Sequence, residues 1–568
     1  MENIQDIIYS DDYADLIIPF RNLTPEDFLE VYAQFHPQII NEDYAVIHAL
    51  LPPGNTIGPA GFLYSIVPNL FTVLDTTSLE AAGILRTQTQ PALQLEGNGV
   101  LMGFLDTGIL YTHPAFQAPG NLSRILRIWD QTIPSPEGNG PFGYGTEYTG
   151  EEINAALRLP DPLSAVPTTD VNGHGTFVAG TAAGSSDPLS DFTGAAPKAR
   201  IAMVRLKEAK QNLRSFYFAS GDGPIYQEND LMTGIQYLVD LARRLSMPLV
   251  ICLALGTNQG DHMGFTPLDR SLARLEALPG VAVTAAAGNE AGKAHHYFGA
   301  VPPGPDAYQT VEILIQENTP GFALELWGQP PELFSIGLQS PVGEIVPRIP
   351  ARLGQTETVQ FILENTRAYV NYELVQNTSG SQLIFLRLED PTPGIWNVNV
   401  YCGSRLNGEF HMWLPITGFV RPDVVFLAPD PYTTITVPAV STQVITPGAY
   451  SAYTDSLFIH SSRGFTRDGR VKPDFAAPGV DLTGPSLQGG YAARSGTSGS
   501  AALTAGSAAL LMEWSMRRGN NLRYFTGYEI KNFLIRGARR ERIEPYPNRE
   551  WGYGTLDLYQ SFFSVTSS

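Results

Sequence analysis

The apolar and polar positions of this chain fall into three textures, and each predicts a different kind of structure. Residues 1 to about 80 mix one helical stretch with short strand-like runs. Thr24-Pro25-Glu26-Asp27-Phe28-Leu29-Glu30-Val31-Tyr32 offers a Thr cap and a Pro in the first turn, and strands are expected around residues 44–51 and 61–67. From residue 100 onward, largely apolar stretches at 100–105, 200–206, 248–255 and 281–287 read as buried strands and are separated by helix-period segments at about 230–245 and 267–277. Such stretches predict strands covered on both faces, and their alternation with helices predicts a parallel sheet. Between about 301 and 432 the period becomes two. Segments 310–316, 323–327, 369–374, 383–388, 396–401 and 409–414 are divided by Pro, Gly and Asn turns with no helical window, which predicts an all-β module.

At the usual ~100 to 200 residues per domain, 568 residues allow two to five domains. The expected division is 1–80, with a junction somewhere in 67–95, then 81–300, a β insert at 301–432, and 433–568. The formal charge of −20 opposes binding to nucleic acid or anionic membrane and mildly favours cationic partners. The amino end, Met1-Glu2-Asn3-Ile4-Gln5-Asp6, has no basic stretch followed by an apolar one, so no secretory signal is expected. No apolar run reaches the roughly 18 residues of a membrane span. Cys252 and Cys402 lack metal or redox spacing and read as free thiols in strand-like segments.

Candidate chemistry gathers at three places. Arg494-Ser495-Gly496-Thr497-Ser498-Gly499-Ser500-Ala501-Ala502-Leu503-Thr504-Ala505-Gly506 surrounds one hydroxyl with small neighbours ahead of an apolar run, as a nucleophile at a helix start requires. The unpaired N–H groups and positive dipole end of a helix would favour both an alkoxide at Ser498 and an oxyanion beside it. Alone, the segment is also consistent with helix capping and close packing. Asp106 ends the run Val100-Leu101-Met102-Gly103-Phe104-Leu105, at the carboxyl edge where such sheets bind ligands, and His174 stands between Gly173 and Gly175 at the start of a small-residue helix. Gly138-Asn139-Gly140-Pro141-Phe142-Gly143 fits GxGxxG, but no strand leads into it and Pro141 removes a donor, so it reads as a surface loop. Neighbouring His295 and His296 would face opposite sides of a strand, which argues against a shared metal.

With Asp106-Thr107-Gly108, Gly173-His174-Gly175-Thr176 and Gly496-Thr497-Ser498 in that order, the sequence resembles the subtilisin-like serine proteases. Thr284-Ala285-Ala286-Ala287-Gly288-Asn289-Glu290 is similar to the segment carrying that family's oxyanion amide, which implies this role for Asn289. Ser461-Ser462-Arg463-Gly464 and Lys472-Pro473-Asp474-Phe475-Ala476-Ala477-Pro478-Gly479 resemble a run the family carries before its serine. The resemblance covers about 95–300 and 433 to the end. It implies an α/β fold with a central parallel sheet flanked by helices, a small α+β pro-domain ahead of it, and an endopeptidase acting on peptide or protein substrates.

In that family the histidine is general base, the aspartate orients it and the serine attacks, which implies these roles for His174, Asp106 and Ser498. Leu253-Ala254-Leu255-Gly256 would pair with the bound peptide, and Ile225 and Tyr226 would form the opposite wall. No cofactor is implied; structural calcium, common in the family, stays open because no EF-hand-like loop is present. A pro-domain that cuts itself off and stays bound non-covalently, with a jelly-roll-like insert between Asn289 and Arg463, resembles the Csp-type germination proteases of spore-forming Firmicutes. Those enzymes process a cortex-lytic proenzyme, which implies a cytoplasmic or spore-associated location and no membrane or nucleic-acid partner. Two positions depart from the family: the residue after the serine and the fourth after it, usually Met and Pro, are Gly499 and Ala502. Two rival readings remain: a general degradative subtilase, and a non-catalytic pseudoprotease scaffold that uses the same body as a binding surface.

Overall fold

The mostly apolar runs become the buried strands of one sheet. Its order is Val281–Ala285, Leu249–Leu253, Leu101–Asp106, Arg200–Arg205, Ile125–Asp130 and Thr146–Thr149, all parallel except the last. This computed structural model describes residues 4–563 apart from 21–22, 52–63, 74–80, 136–139, 220, 222, 276, 353–355, 377, 404–405, 422–423, 518–523 and 542–543. Successive side chains of a strand point to opposite faces. Met102 and Phe104 therefore join a core with helices His174–Ala183 and Thr497–Arg517, whereas Leu101 and Leu105 join another with helices Glu228–Leu245 and Pro267–Leu275. Helix Thr497–Arg517 is buried on nearly every side, which is why its sequence has no polar face. Small residues close its packing: a Cβ on Gly506 would lie 2.2 Å from Ala195 Cβ and 3.1 Å from the Ala182 carbonyl oxygen.

The period-2 region forms two antiparallel sheets. One runs His296–Ala300, Glu409–Trp413, Gly321–Gly328, Gln382–Glu389, Arg367–Glu373, Thr356–Gln360; the other runs Ile345–Val346, Phe334–Gln339, Gly394–Cys402, Tyr308–Ile315, Val425–Phe426. Phe322, Leu324 and Leu326 from the first share one apolar core with Val311, Ile313 and Val398 from the second.

At the amino end, strands Tyr13–Pro19, Tyr44–Leu50 and Gln38–Ile39 form a three-stranded sheet with Tyr44–Leu50 in the middle. Helix Pro25–Val31 starts as the sequence predicts, with the Thr24 hydroxyl accepting the Asp27 N–H. The strand expected at 61–67 does not form where it can be seen. Residues 61–63 lie outside the described residues, and Tyr64–Ile66 is a 3-10 turn in which the Ser65 N–H is taken by the Glu373 carboxylate of the insert. The strand comes later, at Leu70–Val73, where it lies antiparallel between Tyr226–Gln227 and Leu255–Gly256, with Phe71 opposite Tyr226 and Thr72 opposite Gly256.

A buried polar knot fastens this N-terminal unit to the rest. Asp15 accepts from Lys210 Nζ at 2.7 Å and from Gln227 Nε2 at 2.7 Å, and lies 2.6 Å from His48 Nδ1. Lys210 also donates to the carbonyls of Ile7 and Tyr13. Burial alone would raise the Asp15 carboxyl, but Lys210 and His48 beside it hold it well below the usual carboxylate range. Among the described residues, no helix is long and apolar enough to cross a membrane.

Gly506→Val tests the packing of the long helix. Overfilling a close-packed core typically costs about 1–3 kcal/mol, so the thermal midpoint should fall by several degrees. An unchanged midpoint would show that the neighbouring segments can separate without cost.

Candidate active site

Three motif residues meet at the carboxyl edge of the sheet. Asp106 is the last residue of its strand, His174 the first of helix His174–Ala183, and Ser498 the second of helix Thr497–Arg517. His174 Nδ1 stands 2.8 and 3.0 Å from the two Asp106 oxygens, and its Nε2 stands 3.1 Å from Ser498 Oγ. A carboxylate only accepts, so the ring proton belongs on Nδ1 and Nε2 is left to accept from the serine hydroxyl. All three side chains are buried. The pairing of a buried imidazole with a carboxylate on one side and a hydroxyl at a helix N-terminus on the other can make that hydroxyl nucleophilic.

The loops around this line are held by a residue that sequence reading passed over. Asp170 Oδ1 accepts from the Thr107 hydroxyl at 2.9 Å and from the N–H groups of Asn172 and Gly173 at 3.0 and 2.8 Å. Its Oδ2 accepts from the Thr176 N–H and hydroxyl at 2.9 and 2.8 Å. Thr107 in turn accepts from the Gly175 N–H at 2.9 Å. One carboxylate thus ties the segment after Asp106 to both sides of His174. The only signal in the sequence is an Asp two residues before Asn172, in position to bond its own backbone ahead of a helix.

Asn289 is oriented by the residue next to the serine. The backbone N–H and hydroxyl of Thr497 both donate to Asn289 Oδ1, at 3.1 and 3.2 Å, which turns the amide so that its NH2 is the end left to donate elsewhere. The loop is braced on either side, because the Ser462 N–H donates to the Gly288 carbonyl at 2.8 Å and the Glu290 N–H to Ser462 Oγ at 3.0 Å. That is a structural use for the Ser461-Ser462-Arg463 run. The Lys472-Pro473-Asp474 run is structural too: Lys472 and Lys531 both reach the buried Asp474, at 3.0 and 2.7 Å.

The residues expected to bind peptide are buried and divide between two short strands and the residues just before them. Leu253 ends its strand, the Ala254 carbonyl lies 3.4 Å from Ser498 Oγ, and Leu255–Gly256 pairs with Leu70–Val73. Ile225 is buried and Tyr226 pairs with Phe71 on the opposite side of that strand. Other candidates go elsewhere. Cys252 lies in the sheet, where burial pushes its thiol up to about 12. His295 pairs with Glu290 at 2.8 Å and His296 with His411 at 2.9 Å, and among the described residues no three His, Cys, Asp or Glu side chains are grouped to hold a metal ion. Residues 138–139 of the GxGxxG stretch lie outside the described residues, and Pro141–Gly143 is a 3-10 turn.

The chain is similar to known peptidases. The sequence pattern of the Subtilase family, Peptidase_S8, matches residues 97–313 and 429–554, leaving out most of the two β sheets. The structure of the Clostridium perfringens CspB protease is 30% identical and superposes with a TM-score of 0.76, covering 86% of this chain and 97% of that one. Among curated proteins, the membrane-bound transcription factor site-1 protease of Mus musculus is 34% identical over 142 residues, which is 24% of this chain and 13% of that protein. The C5a peptidase of Streptococcus pyogenes is 40% identical over 100 residues, 18% of this chain and 8% of that protein. The chain thus matches only a small part of the length of these curated relatives.

Asp170→Ala should lower kcat while leaving KM nearly unchanged, because the loops that set His174 against Asp106 lose their common acceptor. Misplacing a catalytic group by about 1 Å can cost on the order of 100-fold. Peptide hydrolysis by the purified variant, at unchanged thermal midpoint, is the measurement; a raised KM with normal kcat would place Asp170 in substrate binding instead.

Proposed function

The chain belongs to the subtilase family and is most like its Csp type, and from that premise we propose that it is a serine peptidase in which Asp106, His174 and Ser498 cut peptide bonds and that the first bond cut is in the chain itself. The observation that carries the proposal is the unbroken line from Asp106 through His174 to Ser498, with strand Leu70–Val73 paired to Leu255–Gly256 beside it. His174 Nε2 takes the proton of Ser498 Oγ as the oxygen attacks the carbonyl. Asp106 holds the Nδ1–H tautomer and stabilises the imidazolium, which then protonates the leaving amine; water repeats the sequence to free the acyl group. The NH2 of Asn289 and the Ser498 N–H, at the positive end of a helix, receive the oxyanion.

The register of strand Leu70–Val73 supports self-processing. As the N-terminal unit runs from Thr72 to Val73, its partner wall runs from Gly256 back to Leu255, toward Ala254 and the Ser498 hydroxyl. The bond cut is therefore expected within the few residues that follow Val73. On this reading residues 1 to about 80 are a pro-domain that stays bound after cleavage, and the two β sheets are a jelly-roll-like insert. The narrower part of the proposal is a processing role on a proenzyme in spore germination, as the Csp type implies. A site flanked by the chain's own strand supports it, since such an enzyme admits an exposed loop in preference to a bulky folded protein. Rapid, complete digestion of casein would favour the degradative rival instead.

A fluorophosphonate probe should label Ser498 once the N-terminal unit has been removed and the site is unblocked, and failure to label the unblocked protein would favour the scaffold reading. Asn289→Ala should lower kcat by about 100- to 1,000-fold with little change in KM, the usual cost of losing one oxyanion donor. An unchanged kcat would remove Asn289 from the mechanism.

Asp15→Asn leaves Lys210 buried without its counter-ion, and removing one partner of such a pair typically costs about 3–5 kcal/mol. The cleaved N-terminal unit should co-elute with the remainder of the wild-type chain on size exclusion and separate from it in the variant. Co-elution in both would show that apolar packing alone holds the unit.

A further inference from the structure

Beside the same strand lies a buried carboxyl that the mechanism leaves unused. Glu228 follows the wall strand Tyr226–Gln227 and opens helix Glu228–Leu245; it is 1% exposed, and burial pushes its carboxyl up to about 7. None of its hydrogen-bond donors is a cation. One oxygen accepts the Leu268 N–H at 3.0 Å, near the start of helix Pro267–Leu275, which fixes the carboxyl plane. The other accepts both the backbone N–H of Asn69, at 3.2 Å, and its side-chain Nδ2, at 3.1 Å. The Glu228 N–H donates back to the Asn69 carbonyl at 2.8 Å. One residue on, the Leu70 N–H donates to Oε1 of Gln259, itself 5% exposed, at 2.8 Å. Residue 69 is thereby read through its side chain as well as its backbone, just ahead of the strand that pairs with both walls.

A buried carboxyl with no cation is costly unless N–H donors satisfy it. A short side chain with an N–H donor fits. A methyl group at position 69 would withdraw one donor, and a carboxylate would set two acceptors against each other in a place closed to water. We propose that Glu228 forms a recognition subsite that reads a carboxamide side chain at the residue preceding strand Leu70–Val73, while Gln259 holds the backbone of the residue after it. Processing of the chain by itself is then specific for a segment bearing Asn at that place. The inference rests on the reading of the N-terminal unit as first substrate, and it adds a subsite beyond the walls that flank the serine.

The test uses the full-length chain carrying Ser498→Ala, so that the segment stays covalently in place whether or not self-processing occurs. Hydrogen–deuterium exchange is followed across residues 64–73. Asn69→Asp should speed exchange of these amides by about tenfold or more, as expected when a buried acceptor loses its donor. Adding Glu228→Gln should restore part of the protection: its NH2 can donate to the new carboxylate, although the backbone N–H of residue 69 then loses its acceptor. Exchange in the central strand Leu101–Asp106 should not change in either variant. Protection unaltered by Asn69→Asp, or a double variant no better protected than the single one, would overturn the proposal. Self-cleavage is read separately, in the chain with Ser498 intact, from the mass of its products. A chain that never cuts itself while the rescue holds refutes self-processing but upholds the subsite; self-cleavage without rescue does the reverse.

Discussion

The distance between His174 and Ser498 depends on backbones that come together where no side chain intervenes. A Cβ on Gly175 would fall 2.2 Å from the Gly108 carbonyl oxygen, so the histidine helix can start against the turn after Asp106 only with glycine there. On the long helix, Gly506 allows the same closeness to Ala195 and to the carbonyl of Ala182 at the end of the histidine helix. These contacts bring the first turns of two helices to one edge of the parallel sheet, one carrying an imidazole and the other a hydroxyl, with Asp106 supplied by the strand between. The remaining parts of the site hold that arrangement still: Asp170 ties the loops around the histidine, and Ser462 and Thr497 fix the loop of Asn289.

Much of this was legible in the sequence because each feature has a local cause. A run such as Val100 to Leu105 reads as a strand covered on both faces, and a small-residue stretch after Gly-Thr-Ser reads as a helix packed closely on its neighbours. What sequence reading missed depends on partners far along the chain. Leu70–Val73 is a strand because Tyr226–Gln227 and Leu255–Gly256 receive it, while Tyr64–Ile66, expected to be extended, turns to give Ser65 to Glu373. The β strand Thr356–Gln360 was overlooked because an edge strand needs no buried face, and its pattern is mostly half-exposed. His296–Ala300 lies before the change of texture at residue 301 and is drawn into the β sheet by Glu409–Trp413. Asp170 carried no periodic signal at all.

The N-terminal unit is joined to the catalytic body by two unlike contacts. Apolar side chains of its sheet and helix, among them Leu16 and Phe28, share a core with Leu213, Phe216 and Tyr217 and with Phe385 of the insert, so three regions of the chain meet there. Burial of this kind is strong but carries little directional information. Direction comes from the polar groups: Asp15 with Lys210 at one end, and Asn69 with Glu228 beside strand Leu70–Val73. Each would be costly if left unpartnered in the interior, so only a correctly seated unit satisfies both. The result is a strand, Leu70–Val73, fixed between Tyr226–Gln227 and Leu255–Gly256.

The account stands or falls on whether this alignment ends in cleavage by Ser498. Mass spectrometry of the amino termini in pure preparations of the wild-type chain and of Ser498→Ala decides it. The wild-type preparation should contain a second amino terminus within the first few residues after Val73, and the variant should remain a single chain. A wild-type chain left whole, a cut at a distant place, or a variant cut at the same bond would contradict the account.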